Sequence, residues 1–518
     1  MTTSAATTPP EADAMLPKRG PETSKTRRFA RNAVWNVAGQ VLPIAVAIAV
    51  LPFLLRAIGV ERFGFLTLAW ALVGYAGIFD FGISRAMTRV VARRLAAGDQ
   101  AGARHSAGVA TTYMLAFGVL SGTLLAGCAV PIVDKWLTVP AAMRDEAVHG
   151  LWLLALSVPV VLLTGAYRGY LEAVQAFRPL NEIRIVMGVA VYVVPLAAAL
   201  LSARLELVIG AVVLTRIVAN FVHARAALRH GEFTYAWNRP DKRTSVELFA
   251  IGGWLSVSNV VGPLMTYMDR FILGGLVAVQ MVAYYATPYD LITKTLVVPF
   301  ALMGVLFPMM SGLNDNREAL RDTYGATVRM LLVLMFPVSF IAIMLGGPFL
   351  GAWLGEQFAA EGTRVLQILA VGVFFNALAQ APANLIQGAG QPRSIALLHV
   401  CELPFYLCAI WLLTREYGIA GTALAWSARS MVDCALLFHV AGRDVVGTGM
   451  SRGRLAAGFL VAALLFGVGT AAQSALQTFG GAALGTTLFG LFAWTCLLTD
   501  TDKSRLSALM ARQRKQGE

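Results

Sequence analysis

The sequence predicts an all-α integral membrane protein of about fourteen transmembrane helices: two six-helix lobes related by a pseudo-two-fold repeat, plus two helices at the carboxyl end. Three observations carry this prediction. Of 518 residues, 57% are hydrophobic and 14% charged, with a mean hydropathy of +0.66, against roughly 25% charged residues in soluble domains. Apolar runs long enough to cross the roughly 30 Å hydrocarbon core recur along nearly the whole chain. The cations segregate between those runs according to side.

Residues 1–31 are polar, rich in Ser, Thr and Pro, and carry Lys18, Arg19, Lys25, Arg27, Arg28 and Arg31 before any apolar run. They read as a disordered cytoplasmic tail with no visible cleavable signal peptide. Spans fall near 34–56, 63–84, 107–130, 147–171, 183–203 and 205–226, giving an amino-terminal lobe over 32–228. An inter-lobe loop at 229–245 leads to spans near 247–269, 277–310, 326–353, 364–387, 394–414 and 416–440, a second lobe over 246–441. Spans near 455–475 and 479–499 occupy 454–499, and 500–518 form a basic cytoplasmic tail.

The formal net charge of +13 reflects topology and not a nucleic-acid partner. With the amino terminus inside, the outer loops hold few cations: Arg56, Arg62, Lys135, Arg144 and lone arginines at 204, 270, 364 and 415. The inner loops hold clusters, such as Arg85, Arg89, Arg93, Arg94 and Arg104, or Arg225, Arg229, Arg239, Lys242 and Arg243. Both termini are therefore expected in the cytoplasm. The five cysteines lie in or beside apolar runs without a CxxC or Cys/His cluster, which argues against disulfides and metal fingers. A Walker A motif is absent, so no nucleotide phosphate is gripped by one.

A repeat shows faintly. Span one ends FLLRAIG and span seven ends YMDRFILGG; Pro195, Arg204, Gly210 and Arg216 are echoed by Pro404, Arg415, Gly421 and Arg429. Charges within spans are costly and usually face a partner or water. Arg168 and Glu172, Asp290 and Lys294, and Arg429 and Asp433 stand four residues apart, so each can be a structural pair on one helix face. Arg216 and Glu402 (beside His399) have no such neighbour, Asp80 lies near an inner end, and Arg56 and Arg270 can snorkel at outer ends. Adjacent helical residues point about 100° apart. Asp269 and Arg270 are thus expected to serve different partners, one across the lobes and one in the cavity or outer interface. Prolines inside many spans allow bent helices around a hydrated cleft.

Two stretches carry a family resemblance. The first is NAVWNVAGQVLPIAVAIAVLPFLLRAIGVERFGFLTLAWALVGYAGIFDFGISRAMTRVVAR and the second YMDRFILGGLVAVQMVAYYATPYDLITKTLVVPFALMGVLFPMMSGL. They resemble, in order and spacing over roughly residues 32–440, the polysaccharide-transporter (Wzx-type oligosaccharide flippase) family of the MOP, or MATE-like, superfamily. The resemblance implies a V-shaped pair of lobes that carries undecaprenyl-diphosphate-linked oligosaccharide across the inner membrane without enzymatic chemistry or cofactor, with the bilayer, a polysaccharide polymerase and export machinery as further partners. It makes Arg216, Arg270, Lys294, Arg429 and Arg56 candidates for a cationic substrate cavity, because guanidinium suits a diphosphate. Asp80, Asp269, Asp290, Glu402 and Asp433 become candidates for gate ion pairs or ion coupling. The alternatives are a MurJ-type lipid II flippase and, from another class, a membrane oligosaccharide polymerase or transferase. A multidrug MATE exporter would want an acidic cavity.

Overall fold

The computed structural model describes residues 22–230, 239–312, 316–446, 452–470 and 475–504. Of the expected tails 1–31 and 500–518, residues 1–21 and 505–518 lie outside the described residues, while 22–31, expected to be disordered, form the start of a helix. In order the helices are α1 Glu22–Tyr75, α2 Ile83–Ala96, α3 Gln100–Pro131, α4 Arg144–Ala173, α5 Phe177–Leu201, α6 Leu205–Arg229 and α7 Lys242–Leu276. They continue with α8 Val279–Thr293, α9 Val297–Ser311, α10 Arg317–Leu354, α11 Glu356–Gly388, α12 Pro392–Val440, α13 Arg452–Thr470 and α14 Ala475–Phe492. Among the described residues the single β contact is a bridge between Thr138 and Ala278.

Ten helical segments among the described residues are long and apolar enough to cross a membrane. Two of these are each a pair of spans. At 1.5 Å per residue, the 54 residues of α1 and 49 of α12 would reach about 75–80 Å, more than twice the hydrocarbon thickness. Each breaks at a glycine in a backbone region that side chains avoid, Gly59 (φ 79°) and Gly418 (φ 58°). In α12 the arms fold back closely enough for the Thr414 and Thr422 hydroxyls to bond at 2.7 Å. A side chain on Gly421 would collide with the main-chain oxygen of Leu413.

The repeat is visible in the breaks as well as the packing. The second arm of α1 yields to a 3-10 turn, Ala76–Asp80, before α2, and α8 yields to a 3-10 turn, Lys294–Leu296, before α9. In the first half α3 packs along α4 and α4 along α6; in the second α10 packs along α11 and α11 along α12. The last two helices dock on α10, where Phe336 stacks on Phe466 and Phe489 with ring centroids 5.3 and 3.7 Å away. Large apolar side chains such as Leu201 (83% exposed) and Phe405 (77%) project from the bundle, which suits lipid and not water.

Candidate functional site

The two halves touch at both ends of the bundle. At the Gly59 end the loop between α3 and α4 pairs with the α7–α8 turn: Thr138 N–H donates to Gly274 O at 3.0 Å, and Val279 N–H donates to Thr138 O at 3.1 Å. Trp136 Nε1 adds a bond to Phe271 O at 3.3 Å. Gly64, in the second arm of α1, lies so close to the α8 start that a Cβ would strike the main-chain oxygen of Val279. At the opposite end the start of α7 meets α2 and α3. There Glu247 accepts from Arg94 Nη2 at 2.7 Å and pairs with Arg93, and Tyr113 donates to Ser245 Oγ at 2.9 Å. Asp241 caps α7 through Thr244 N–H at 2.9 Å and meets His105 Nε2 at 2.6 Å. The Thr244 amide first, then His105, holds the Asp241 carboxyl well below the usual carboxylate range.

Glu247→Gln removes the charge that Arg93 and Arg94 share. The expected result is an easier opening of that end by about 0.5–1 kcal/mol, since the pair is partly exposed. A cysteine replacing the fully buried Leu248 should react with a water-soluble thiol reagent about two- to fivefold faster in the Glu247→Gln background. An unchanged rate counts against this contact as a closure element.

Between the ends, helices from both halves enclose a cavity of ≈ 50 Å³ lined by Leu51, Trp70, Tyr192, Asp290, Lys294 and Trp353, among others. That volume suits a few waters and not a sugar head, so passage at this point requires the halves to part. Arg270 braces its wall. The residue is 3% exposed, donates through Nη2 to Asp290 Oδ1 at 2.5 Å, and lies 5.3 Å over the Tyr289 ring. Asp269, fully buried, accepts from Tyr285 OH at 2.5 Å and from Arg270 N–H at 2.7 Å. The expected cross-lobe partner is corrected by this geometry: the side-chain partners of both residues come from α8, the next helix of the same half. Neither Asp269 nor Arg270 opens on the cavity; Asp290 and Lys294 do.

The other candidates scatter. Arg216 on α6 keeps a buried Nε without a hydrogen-bond partner and lies within electrostatic reach of Tyr192. Arg56 is exposed at the outgoing end of the first α1 arm. Asp80 shapes the turn before α2, accepting from Gly82 N–H at 2.6 Å and Ser84 Oγ at 2.5 Å, an Asx turn. Arg429, Glu402 and Asp433 belong to α12 and do not line the seam cavity: Arg429 sits over Tyr406 at 5.4 Å, and Asp433 meets His399 at 3.3 Å. Of the three pairs expected at four-residue spacing, Arg168 and Glu172 form one at 3.5 Å. Asp290 instead takes Arg270 as its partner. The tyrosines 192, 285 and 289 escape the sequence reading, although two of them stand in the YYATPYD run.

Residues 53–363 match the family model described as polysaccharide biosynthesis protein. A protein of Shigella flexneri named for O-antigen transport is 31% identical over 411 residues, which cover 79% of this chain and 96% of that protein. The chain belongs to the polysaccharide biosynthesis protein family. Members of wider groups share the fold. A lipid II flippase MurJ structure superposes with a TM-score of 0.67 at 11% identity, over 88% of this chain and 97% of that one. An inward-facing MATE multidrug transporter of the MOP superfamily superposes with a TM-score of 0.66 at 13% identity, over 81% and 96%. The chain is thus a polysaccharide biosynthesis family member on a MATE-like frame of paired halves.

Proposed function

We propose that this protein is a flippase, not an enzyme, that moves an undecaprenyl-diphosphate-linked oligosaccharide from the cytoplasmic to the periplasmic leaflet of the inner membrane by alternating access. The carrying observation is the 31% identity along 96% of a relative named for O-antigen transport. Contacts between the halves at both ends, around a seam cavity lined by Asp290 and Lys294, support the same reading, because a cargo with a large polar head needs each end to open in turn. In this reading both termini face the cytoplasm and the lobes are 32–228 and 246–441. Lys294, Arg216 and Arg56 attract the diphosphate, Arg429 acts from within its own lobe, and Arg270 holds Asp290 in place. A polysaccharide polymerase and export machinery take the product onward. MurJ shares the frame at an identity that speaks for fold alone.

Deletion is the direct test. Loss of the gene is expected to accumulate cytoplasmic-leaflet lipid-linked oligosaccharide while lipid II turnover continues. Normal polysaccharide export in the deletion strain, with no second copy present, overturns the assignment; stalled lipid II instead favours the MurJ-type activity.

A further inference from the structure

About 10 Å along α12 from Pro392, the outgoing arm presents His399 and Glu402, and the returning arm brings Asp433 opposite them. One donor atom from each lies within 4.8 Å of the other two. Glu402 and Asp433 are 8% and 5% exposed. Both oxygens of Glu402 and Oδ1 of Asp433 are buried without a hydrogen-bond partner. His399 Nε2 approaches Asp433 Oδ1 at 3.3 Å, yet that oxygen still lacks a bond of acceptable geometry. One oxygen from each carboxylate and an imidazole nitrogen therefore converge, where neither Glu402 oxygen nor Asp433 Oδ1 receives a proton from a neighbour.

Arg429 lines the same groove as Glu402, but its Nη1 lies 3.8 Å from Met265 Sδ and the guanidinium covers Tyr406. It supplies no hydrogen bond to either Glu402 oxygen. Two carboxylates this close and this buried are relieved by a proton or by a cation held between them, beyond what the nearby Arg429 supplies at a distance. The ligand set selects its class. Sodium, magnesium and calcium prefer oxygen throughout, whereas one imidazole with two carboxylates suits a divalent transition metal. Metal–ligand bonds of about 2.0–2.2 Å at tetrahedral angles set donors roughly 3.3–3.5 Å apart, which the His399–Asp433 approach already meets. His399 is one-third exposed, so the cluster is open on its imidazole side.

We infer that His399, Glu402 and Asp433 form a site for a divalent transition metal of the zinc class, which clips the two arms of the α12 hairpin together. Three protein ligands leave a fourth position for water. The inference concerns the hairpin alone and stands apart from the identity of the cargo.

The test uses the full chain in detergent, carrying no polyhistidine tag, stripped with a chelator and titrated with cobalt(II) chloride. Wild type is expected to develop the visible d–d bands of tetrahedral cobalt and to lose them on addition of zinc. Zinc alone should raise its Tm. Glu402→Gln and Asp433→Asn, checked for monodisperse elution, should each bind cobalt at least about 100-fold more weakly. Wild type that gives no cobalt spectrum and no rise in Tm overturns the site whatever the variants do. Binding unchanged in both folded variants overturns it too, and protection by sodium or acid with no response to divalent ions reassigns the cluster to a monovalent ion or a proton.

Discussion

Arg270→Met is expected to abolish surface polysaccharide export and to destabilise the protein by about 3–5 kcal/mol, the usual cost of leaving a fully buried charge, here Asp269, without its cation. The guanidinium is 3% exposed and is the cation nearest two aspartates on two helices: Asp290 through a 2.5 Å bond and Asp269 through chain adjacency. Without it Asp290 can still draw water from the seam cavity that it lines. Asp269 cannot, because it is fully buried and keeps only Tyr285 and a backbone amide. Arg270→Lys should restore charge but not the flat stacking over Tyr289, and is expected to recover part of the stability. Combining Arg270→Met with Asp269→Asn, which neutralises the stranded carboxylate, should recover stability relative to Arg270→Met alone, without recovering export. The checks are thermal unfolding in detergent and polysaccharide at the cell surface. An Arg270→Met protein as stable and active as wild type would remove the brace from this account.

Gly64→Val should drive the halves apart at the Gly59 end. A Cβ there meets main chain, the Val279 carbonyl oxygen, and main chain cannot rotate away as a side-chain tip would. Overpacking of this kind costs about 1–3 kcal/mol, so the closed arrangement should fall about five- to 150-fold relative to the open one. Cysteines replacing Thr138 and Ala278, which face each other across the bridge, stand within disulfide reach and report closure once the native cysteines are replaced. Oxidative crosslinking should be efficient while Gly64 is kept and sharply reduced by Gly64→Val. Equal crosslinking in both backgrounds would show that the close approach does not control that end.

The spans are legible because each is a run of apolar residues near the length a bilayer requires, and such runs say little about anything else. The fold at Gly59 falls between the expected runs 34–56 and 63–84, whereas that at Gly418 lies just inside the run expected at 416–440. The charge network is less legible. Four-residue spacing correctly pairs Arg168 with Glu172, which are exposed and bond each other along one helix face. It misdirects Asp290, since spacing along one helix carries no information about which neighbouring helix offers a better-shaped donor, here Arg270. Asp80 holds a local signal that hydropathy overlooks. An aspartate two residues before a glycine is a turn pattern, and the carboxylate bonds Gly82 and Ser84. The α12 cluster is half visible, Glu402 beside His399 in sequence, while Asp433 joins them only because the chain turns at Gly418.

The two closures are made of different materials, and that difference has a physiological reach. Amide and carbonyl groups join Thr138 to the α7–α8 turn, whereas charged side chains join Glu247 to Arg93 and Arg94. Dissolved electrolyte weakens the second kind and hardly touches the first. Osmotic or saline stress would therefore loosen one mouth selectively and bias which leaflet the empty carrier samples, with no change in cargo and no dedicated sensor.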